Sequence, residues 1–443
     1  MIEPKLRIGI MYQSEIVFRL NGPYKLVSSG VVYEGIQKAN FHDGQIWLND
    51  APAHVEVLNF EPVHSETDSF ELVGVTIGIQ FHWERKEDQK FKGALEIMIE
   101  NEKLTAINIL PLEDYLISVI SSEMSATSSM ELLKAHAITS RSWLLAQTIK
   151  SKELQHSGKI YQAISETPEA FIRWYDREDH QNFDVCADDH CQRYQGITRQ
   201  STKLVEQAIA ETRGLLIMSG DKICDARFSK SCGGISETFE NVWEPESHPY
   251  LQPVVDNPEL QEGFDADLTN EAAAEKWIRN APAAFCNTHD KEVLSQVLND
   301  YDQETTDFYR WKVSYQQAGL AELIARKSGR DFGEIIDLIP IERGFSGRLL
   351  KLKIVGTKLS LIIGKELEIR KTLSESHLYS SAFVIDKLNV NQGIPGEFIL
   401  TGAGWGHGVG LCQIGAAMMG AKGYKYDEIL LHYFRGARIS KEY

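Results

Sequence analysis

Glu123 closes an apolar stretch, LEDYLISVISSEM, just before the polar turn SATSS. A carboxyl shielded at the end of a buried helix can hold its proton to higher pH and act as a general acid, whereas one solvated there is an ordinary surface charge. Glu113 and Asp114, at the head of the same stretch, are read as helix N-terminal charges that favour the dipole. A second segment, GAGWGHGVGLCQIG over 402–415, sets Gly402, Gly404, Gly406, Gly408, Gly410 and Gly415 around Trp405, His407 and Gln413. Glycine at that density allows left-handed turns and close approach. Tryptophan offers a flat face to a sugar ring, and histidine moves protons near neutral pH. The bland alternative is a tight loop with His407 tied to backbone. The lysine and hydroxyl of a phosphate-binding loop are absent, so this is not a nucleotide loop. A third group is His180, Cys186, His190 and Cys191. Thiolate plus imidazole is a zinc ligand set. The spacing H-x5-C-x3-H-C differs from a C-x2-C finger, and neighbouring His190 and Cys191 are not expected both to ligate. A Cys186–Cys191 disulfide and free thiols stay open beside zinc.

The elements that must position these residues can be read from period. Residues 5–110 give strand-like runs (LRIGIMY, EIVFRLN, HVEVLNF, VGVTIGIQFHW, ALEIMIE) separated by turn pairs such as Asn21-Gly22 and Asp43-Gly44. Over 112–150 the period becomes helical, with Leu112, Tyr115, Leu116, Val119 and Ile120 on one face. Ser128 with Glu131 reads as the capping box of a second helix that carries Met130, Leu133, Ala137 and Leu144 on one face. A further helix is expected over 203–212, ended by Gly214, then the small-residue segment SKSCGG. Residues 252–330 are acidic and helical, and 335–401 return to strands. The expected class is α+β: a β-rich N-terminal domain at 1–106, and a mixed domain built from 107–251 and 331–443. The remaining segment, 252–330, is expected as an inserted helical lobe.

The 443 residues carry 46 Lys plus Arg against 63 Asp plus Glu, a net charge of −17. That balance argues against a nucleic-acid partner bound through its phosphates. Hydrophobic residues make up 43%, enough for a globular core. No run reaches the roughly 18 apolar residues of a membrane span, and no apolar signal segment opens the chain. Six cysteines are too few for a disulfide-built scaffold. Cys186/Cys191 and Cys224/Cys232 are close in sequence, and each pair allows a disulfide, half a metal site or two buried thiols. Cys232 is also a candidate to join the His180 group.

Two long segments carry a resemblance. LEDYLISVISSEMSATSSMELLKAHAITSRSW and GAGWGHGVGLCQIGAAMMGAKGYKYDEILLHYFRG resemble, in order, two blocks of the stage II sporulation protein D family, which includes the amidase enhancer proteins. AIAETRGLLI, FSKSCGGISE, NVWEPESHPYL and GFSGRLLKLKIVG are similar to further blocks between them. The resemblance runs from about Ile107 to Ile439, interrupted at 252–330. It departs from the family at His136, where glutamine is frequent, and at Leu411-Cys412, where Met-Ser is frequent. It implies cleavage of peptidoglycan glycan strands by a lytic transglycosylase, with Glu123, the Glu of the Glu-Met pair, as the catalytic acid. Tyr115, Lys134, Arg141, Trp405, His407 and Gln413 are then candidates for binding substrate, Arg141 equally for a structural ion pair. The resemblance also implies a structural zinc at His180, Cys186 and Cys191, with no cofactor needed for the chemistry. The implied partners are glycan strands and a cell-wall amidase. The place is the cell envelope after loss of an export signal, with the cytoplasm as the alternative. A non-catalytic glycan-binding enhancer of an amidase is the rival function.

Overall fold

In the computed structural model, described for residues 2–78, 84–125, 127–157, 163–174, 180–188, 190–198, 201–257, 267–297 and 306–443, the protein is α+β and divides into two compact units. The first comprises Met1–Ala126, Asp179–Leu215 and Lys441–Tyr443; the second Thr127–Glu178 and Leu216–Ser440.

The first unit is built on a large, mainly antiparallel sheet. Lys5–Gln13 pairs with Lys103–Pro111, and that strand with Ala94–Glu100. Alternation of buried and exposed residues, as in Glu15–Leu26, gives each strand one face for the core. Phe18, Phe60, Phe70 and Phe91 are fully buried there. The helix Leu112–Glu123 leaves the sheet directly after Pro111, and the expected face of Leu112, Tyr115, Leu116, Val119 and Ile120 is fully buried. A run of stacked rings ties this helix to the sheet: Phe70 to Phe91, Phe91 to Tyr194, and Tyr194 to Tyr115, with centroids 5.3, 5.8 and 5.1 Å apart. Val185–Cys186 adds a short parallel strand on the outer side of Lys5–Gln13, with Cys186 opposite Gly9. Gly9 has to be glycine, because a Cβ there would lie 2.5 Å from the Phe183 ring.

In the second unit the long helix Met130–Ser157 is buried on more than one side, with His136, Thr139, Ser140, Arg141 and Ser142 fully enclosed. Its cap lies one residue later than expected. The Ser129 hydroxyl accepts from Leu132 N–H at 3.3 Å. Ser128 instead donates to the Gln296 carbonyl, and Glu131 accepts from Tyr426 N–H. The helices Gln413–Ala421 and Tyr426–Tyr433 pack against the long helix. The unit also holds a five-stranded sheet that includes Ile335–Arg343, Leu349–Gly356 and Ser360–Gly364, and a three-stranded sheet of Arg310–Gln316, Glu397–Ala403 and Phe383–Leu388.

The division of the chain differs from the expected one. The helix Leu112–Glu123 belongs with the N-terminal sheet, and 252–330 is no separate lobe. Arg310–Gln316 pairs in register with Glu397–Ala403. The helix Glu271–Asn280 places Ala274, Trp277 and Ile278 in one cluster with Ala382, Val384 and Ala403. The polar composition of this segment marks its outer faces, while its few large apolar residues fill the shared core.

Candidate active site and metal cluster

Glu123 is the last residue of its helix and half-buried, while Met124, which follows it, is buried. The apolar face anchors the helix, so the position of its C-terminal turn is fixed by packing rather than by the side chain itself. Tyr115, two turns earlier, is wholly enclosed and donates to Gln192 Oε1 at 3.4 Å. Burial pushes its hydroxyl well above the usual tyrosine range, and the charges of Cys191, Cys186 and Glu123 act in the same direction.

The parallel edge strand brings the Cys/His group together. The ligand atoms of His180, Cys186, His190 and Cys191 lie within 4.8 Å of one another. His180 Nε2 is 3.4 Å and His190 Nδ1 3.5 Å from Cys191 Sγ. His180 stacks on Phe183, with centroids 4.5 Å apart, so the ring that requires Gly9 also orients a ligand. His190, set aside in the sequence because it adjoins Cys191, faces the same point. Hydrogen bonding with Cys191, and then with His180 and His190, draws the Cys186 thiol down to about 2. Two thiolates and two imidazoles match the preference of zinc.

In the second unit the Gly-rich segment starts where Glu397–Ala403 ends and closes at Leu411–Cys412, which pairs in parallel with Phe228–Ser229. Gly404, Gly406, Gly408 and Gly410 all have positive φ. At Gly408 a Cβ would meet the Arg348 guanidinium at 2.3 Å, and at Gly410 the Arg227 carbonyl at 2.1 Å. Trp405 is half-buried, with its ring 4.1 Å from that of Tyr379 and 4.8 Å from that of Phe308. His407 is held by backbone: Nδ1 accepts from Val409 N–H at 3.0 Å, and the ring also hydrogen-bonds with the Phe228 backbone. Its ring meets the Trp243 ring in an edge-to-face contact at 5.1 Å. Burial, and then the guanidiniums of Arg227, Arg348 and Arg370, keep it neutral, well below the usual histidine range.

Three residues named as candidate substrate contacts are core instead. Tyr115 and Arg141 are fully buried and Gln413 nearly so. Gln413 Nε2 lies 3.0 Å from His136 Nε2, tying the helix Gln413–Ala421 to the long helix. At 0–2% exposure the three offer no face to a substrate. Lys134 remains half-exposed, its ammonium 5.8 Å from the centre of the Tyr426 ring.

His136 has a consequence for stability. Burial, aided by Lys230, pushes it down to about 3. Between the ordinary histidine value and that level, the unfolded chain takes a proton that the folded chain refuses. Stability therefore falls as pH drops through this window, by at most about 1.4 kcal/mol per pH unit. His136→Gln, which can still pair with Gln413, should flatten the acid limb; the check is urea midpoints from about pH 7 to about pH 4. An unchanged slope would refute this role.

Sequence reasoning missed Arg348 and Glu237. Arg348 Nε and Nη2 donate to the Gly406 carbonyl at 3.3 and 3.1 Å, and Nη1 donates to the Cys232 carbonyl and Ser346 Oγ. Buried Glu237 accepts from Ser346 N–H and Oγ–H and from Thr238 N–H. The small-residue blocks GFSGR and SCGGISE were the only signal.

Residues 100–218 match the family described as stage II sporulation protein, and residues 237–410 match a domain of unknown function, DUF8618. The chain is 24% identical to stage II sporulation protein D of Bacillus subtilis over 339 residues, 76% of each chain. It is equally 24% identical to an uncharacterized protein of Brachyspira hyodysenteriae over 360 residues, 80% of this chain and 75% of that one. Against the amidase enhancer of Bacillus subtilis the identity is 24% over 328 residues, which is 73% of this chain and 40% of that protein. The protein is thus an α+β chain whose residues 100–218, which include Glu123 and the Cys/His cluster, match the stage II sporulation protein family. Its similarity is to the stage II sporulation protein D and amidase enhancer proteins.

Proposed function

We propose that this protein acts on the bacterial cell wall as a peptidoglycan lytic transglycosylase, with Glu123 as its acid and base. The observation that carries the reading is the placement of Glu123: a partly accessible carboxyl on the last turn of a helix whose other face is locked into the core. Such a group can approach a substrate without moving the backbone. The carboxyl would give its proton to the glycosidic oxygen between N-acetylmuramic acid and N-acetylglucosamine as the C1–O bond breaks. The muramoyl C6 hydroxyl would then bond to C1 and return its proton to the carboxylate. Atoms balance with no water consumed, so one carboxyl suffices, whereas hydrolytic glycosidases usually need two.

The Cys/His cluster fits a structural zinc held by His180, Cys186, His190 and Cys191. The ion would cross-link the edge strand to the segment that carries Gln192 and Tyr194, and so brace the packing behind Tyr115. Cys186→Ser should lower the zinc content by about one ion per chain and loosen this edge. Zinc analysis with hydrogen exchange at 180–195 checks it; an unchanged zinc content would refute the assignment.

The rival reading, a glycan-binding enhancer of an amidase, is favoured by the Trp405 and Tyr379 rings, which offer partly exposed stacking faces. The experiment that separates the two is mass spectrometry of products from glycan strands, both intact and stripped of peptides. A product lighter by one water than the hydrolytic one supports cleavage, and absence of any product on both supports the enhancer. For either function, no helix among the described residues is long and apolar enough to cross a membrane.

A further inference from the structure

Four side chains in the second unit, remote from Glu123 in sequence, meet in its interior. The ligand atoms of Cys232, Asp256, Cys286 and Cys412 lie within 4.8 Å of one another, and all four residues are buried. Cys232 comes from SKSCGG, Asp256 and Cys286 from irregular segments on either side of the helix Glu271–Asn280, and Cys412 from the end of the Gly-rich segment. We propose that they form a second metal site, binding one zinc ion through three thiolates and a carboxylate.

The geometry fits a single tetrahedral ion. With zinc–sulfur bonds of about 2.3 Å, two ligating sulfurs stand about 3.8 Å apart. Cys232 Sγ and Cys286 Sγ are 3.7 Å apart. The outer groups are those that hold ligands in their anionic form. Cys412 Sγ accepts from Cys232 N–H at 3.2 Å and from the Gly415 backbone, and it stands at the N-terminus of the helix Gln413–Ala421. Asp256 Oδ1 accepts from Tyr433 Oη–H at 2.6 Å, and Oδ2 from Cys286 N–H at 2.9 Å. Gly415 lets the helix approach: a Cβ there would sit 2.7 Å from Asp256 Oδ1.

Once these ligands ionise, their charge would need a cation, because a buried carboxylate beside ionised thiols is unfavourable without one. Arg310 and Arg348 supply part of the balance, donating to the carbonyls of Gly233 and Cys232 at 3.0 and 3.2 Å. A bound dication would supply the rest. It would join segments separated by up to 180 residues and add to the hold that buried Val409, Leu411 and Ile414 already have on the end of the Gly-rich segment.

The test uses the full chain with zinc alone as probe. A background of His180→Ala with Cys186→Ser removes the other cluster. After zinc loading and desalting, this background should retain about one zinc per chain, and adding Cys412→Ser or Asp256→Asn should remove it. Circular dichroism accompanies each variant. For folding failures, the background protein itself is loaded with cobalt, which should give the intense near-ultraviolet sulfur-to-cobalt band of a thiolate site. Zinc-free, folded background protein would overturn the proposal. So would retention of zinc by Cys412→Ser, or alkylation showing Cys232 and Cys286 blocked as a disulfide. None of these readouts involves glycan, so the result is independent of the catalytic reading.

Discussion

Glu123→Gln should lower release of anhydromuramoyl products by about a hundred- to ten-thousand-fold, the usual contribution of a positioned general acid and base. The substitution keeps size and shape while removing the transferable proton. The helix that carries Glu123 is held by Leu112, Tyr115, Leu116, Val119 and Ile120, all fully buried, so the fold should be unaffected. Product mass spectrometry on peptide-stripped strands is the check, alongside circular dichroism and zinc content. A variant with wild-type rates would remove Glu123 from the mechanism. A variant that loses zinc together with activity would instead show damage to the neighbouring cluster. Glu123→Asp is informative beside it: it keeps the acid but withdraws it by one methylene, so partial activity separates chemistry from reach.

The largest expected loss of stability is at Arg348. Arg348→Met keeps much of the volume but removes the donors to the Gly406 and Cys232 carbonyls and the cation near buried Glu237. Breaking a buried charge network from one side costs about 3–5 kcal/mol, because the partner stays behind in a poor dielectric. The Gly-rich segment should lose its shape first, since the guanidinium fills the space beside Gly408. A lower urea midpoint and a changed tryptophan emission from Trp405 are the expected signals. A midpoint shift of less than about 0.5 kcal/mol, the scale of an ordinary surface change, would refute this account. Glu237→Gln should cost less, because the amide oxygen can still accept from Thr238 and Asn241 and only the bonds from Ser346 are disturbed.

The two predictions fall on opposite sides of what sequence can show. The face of the helix ending at Glu123 was legible because helical period depends on local geometry alone, and five apolar residues in step leave one solution. The helix over 203–212 was legible for the same reason, with Thr202 as its cap. Arg348 was not, because nothing local marks an arginine as buried; only contacts from Gly406, Cys232 and Glu237 make it so.

The same distinction explains the corrected residues. Tyr115, Arg141 and Gln413 were singled out by position in motifs, and motifs also preserve core packing. Gln413 faces His136 because two helices cross there, 277 residues apart in the chain. The segment 252–330 read as a lobe because its surface is acidic. Its place in the core is set by Trp277, Trp311 and Leu320, which sequence composition averages away.

Sequence alone determined the class of fold, the β-rich character of the N-terminal unit though not every strand (Asn21-Gly22, read as a turn, lies within Glu15–Leu26), the helix that carries Glu123, and the residues of the His180 cluster other than the part taken by His190. These follow from alternation, helical period and short spacings, which involve neighbours within a few residues. The tertiary structure decided that Cys232 pairs its interests with Cys286, Cys412 and Asp256 rather than with Cys224 or His180. It also decided that His407 is bound by backbone and that Arg348 braces the Gly-rich segment. Irregular segments carry no period, so the direction of a side chain on them is set by whichever distant surface packs against it.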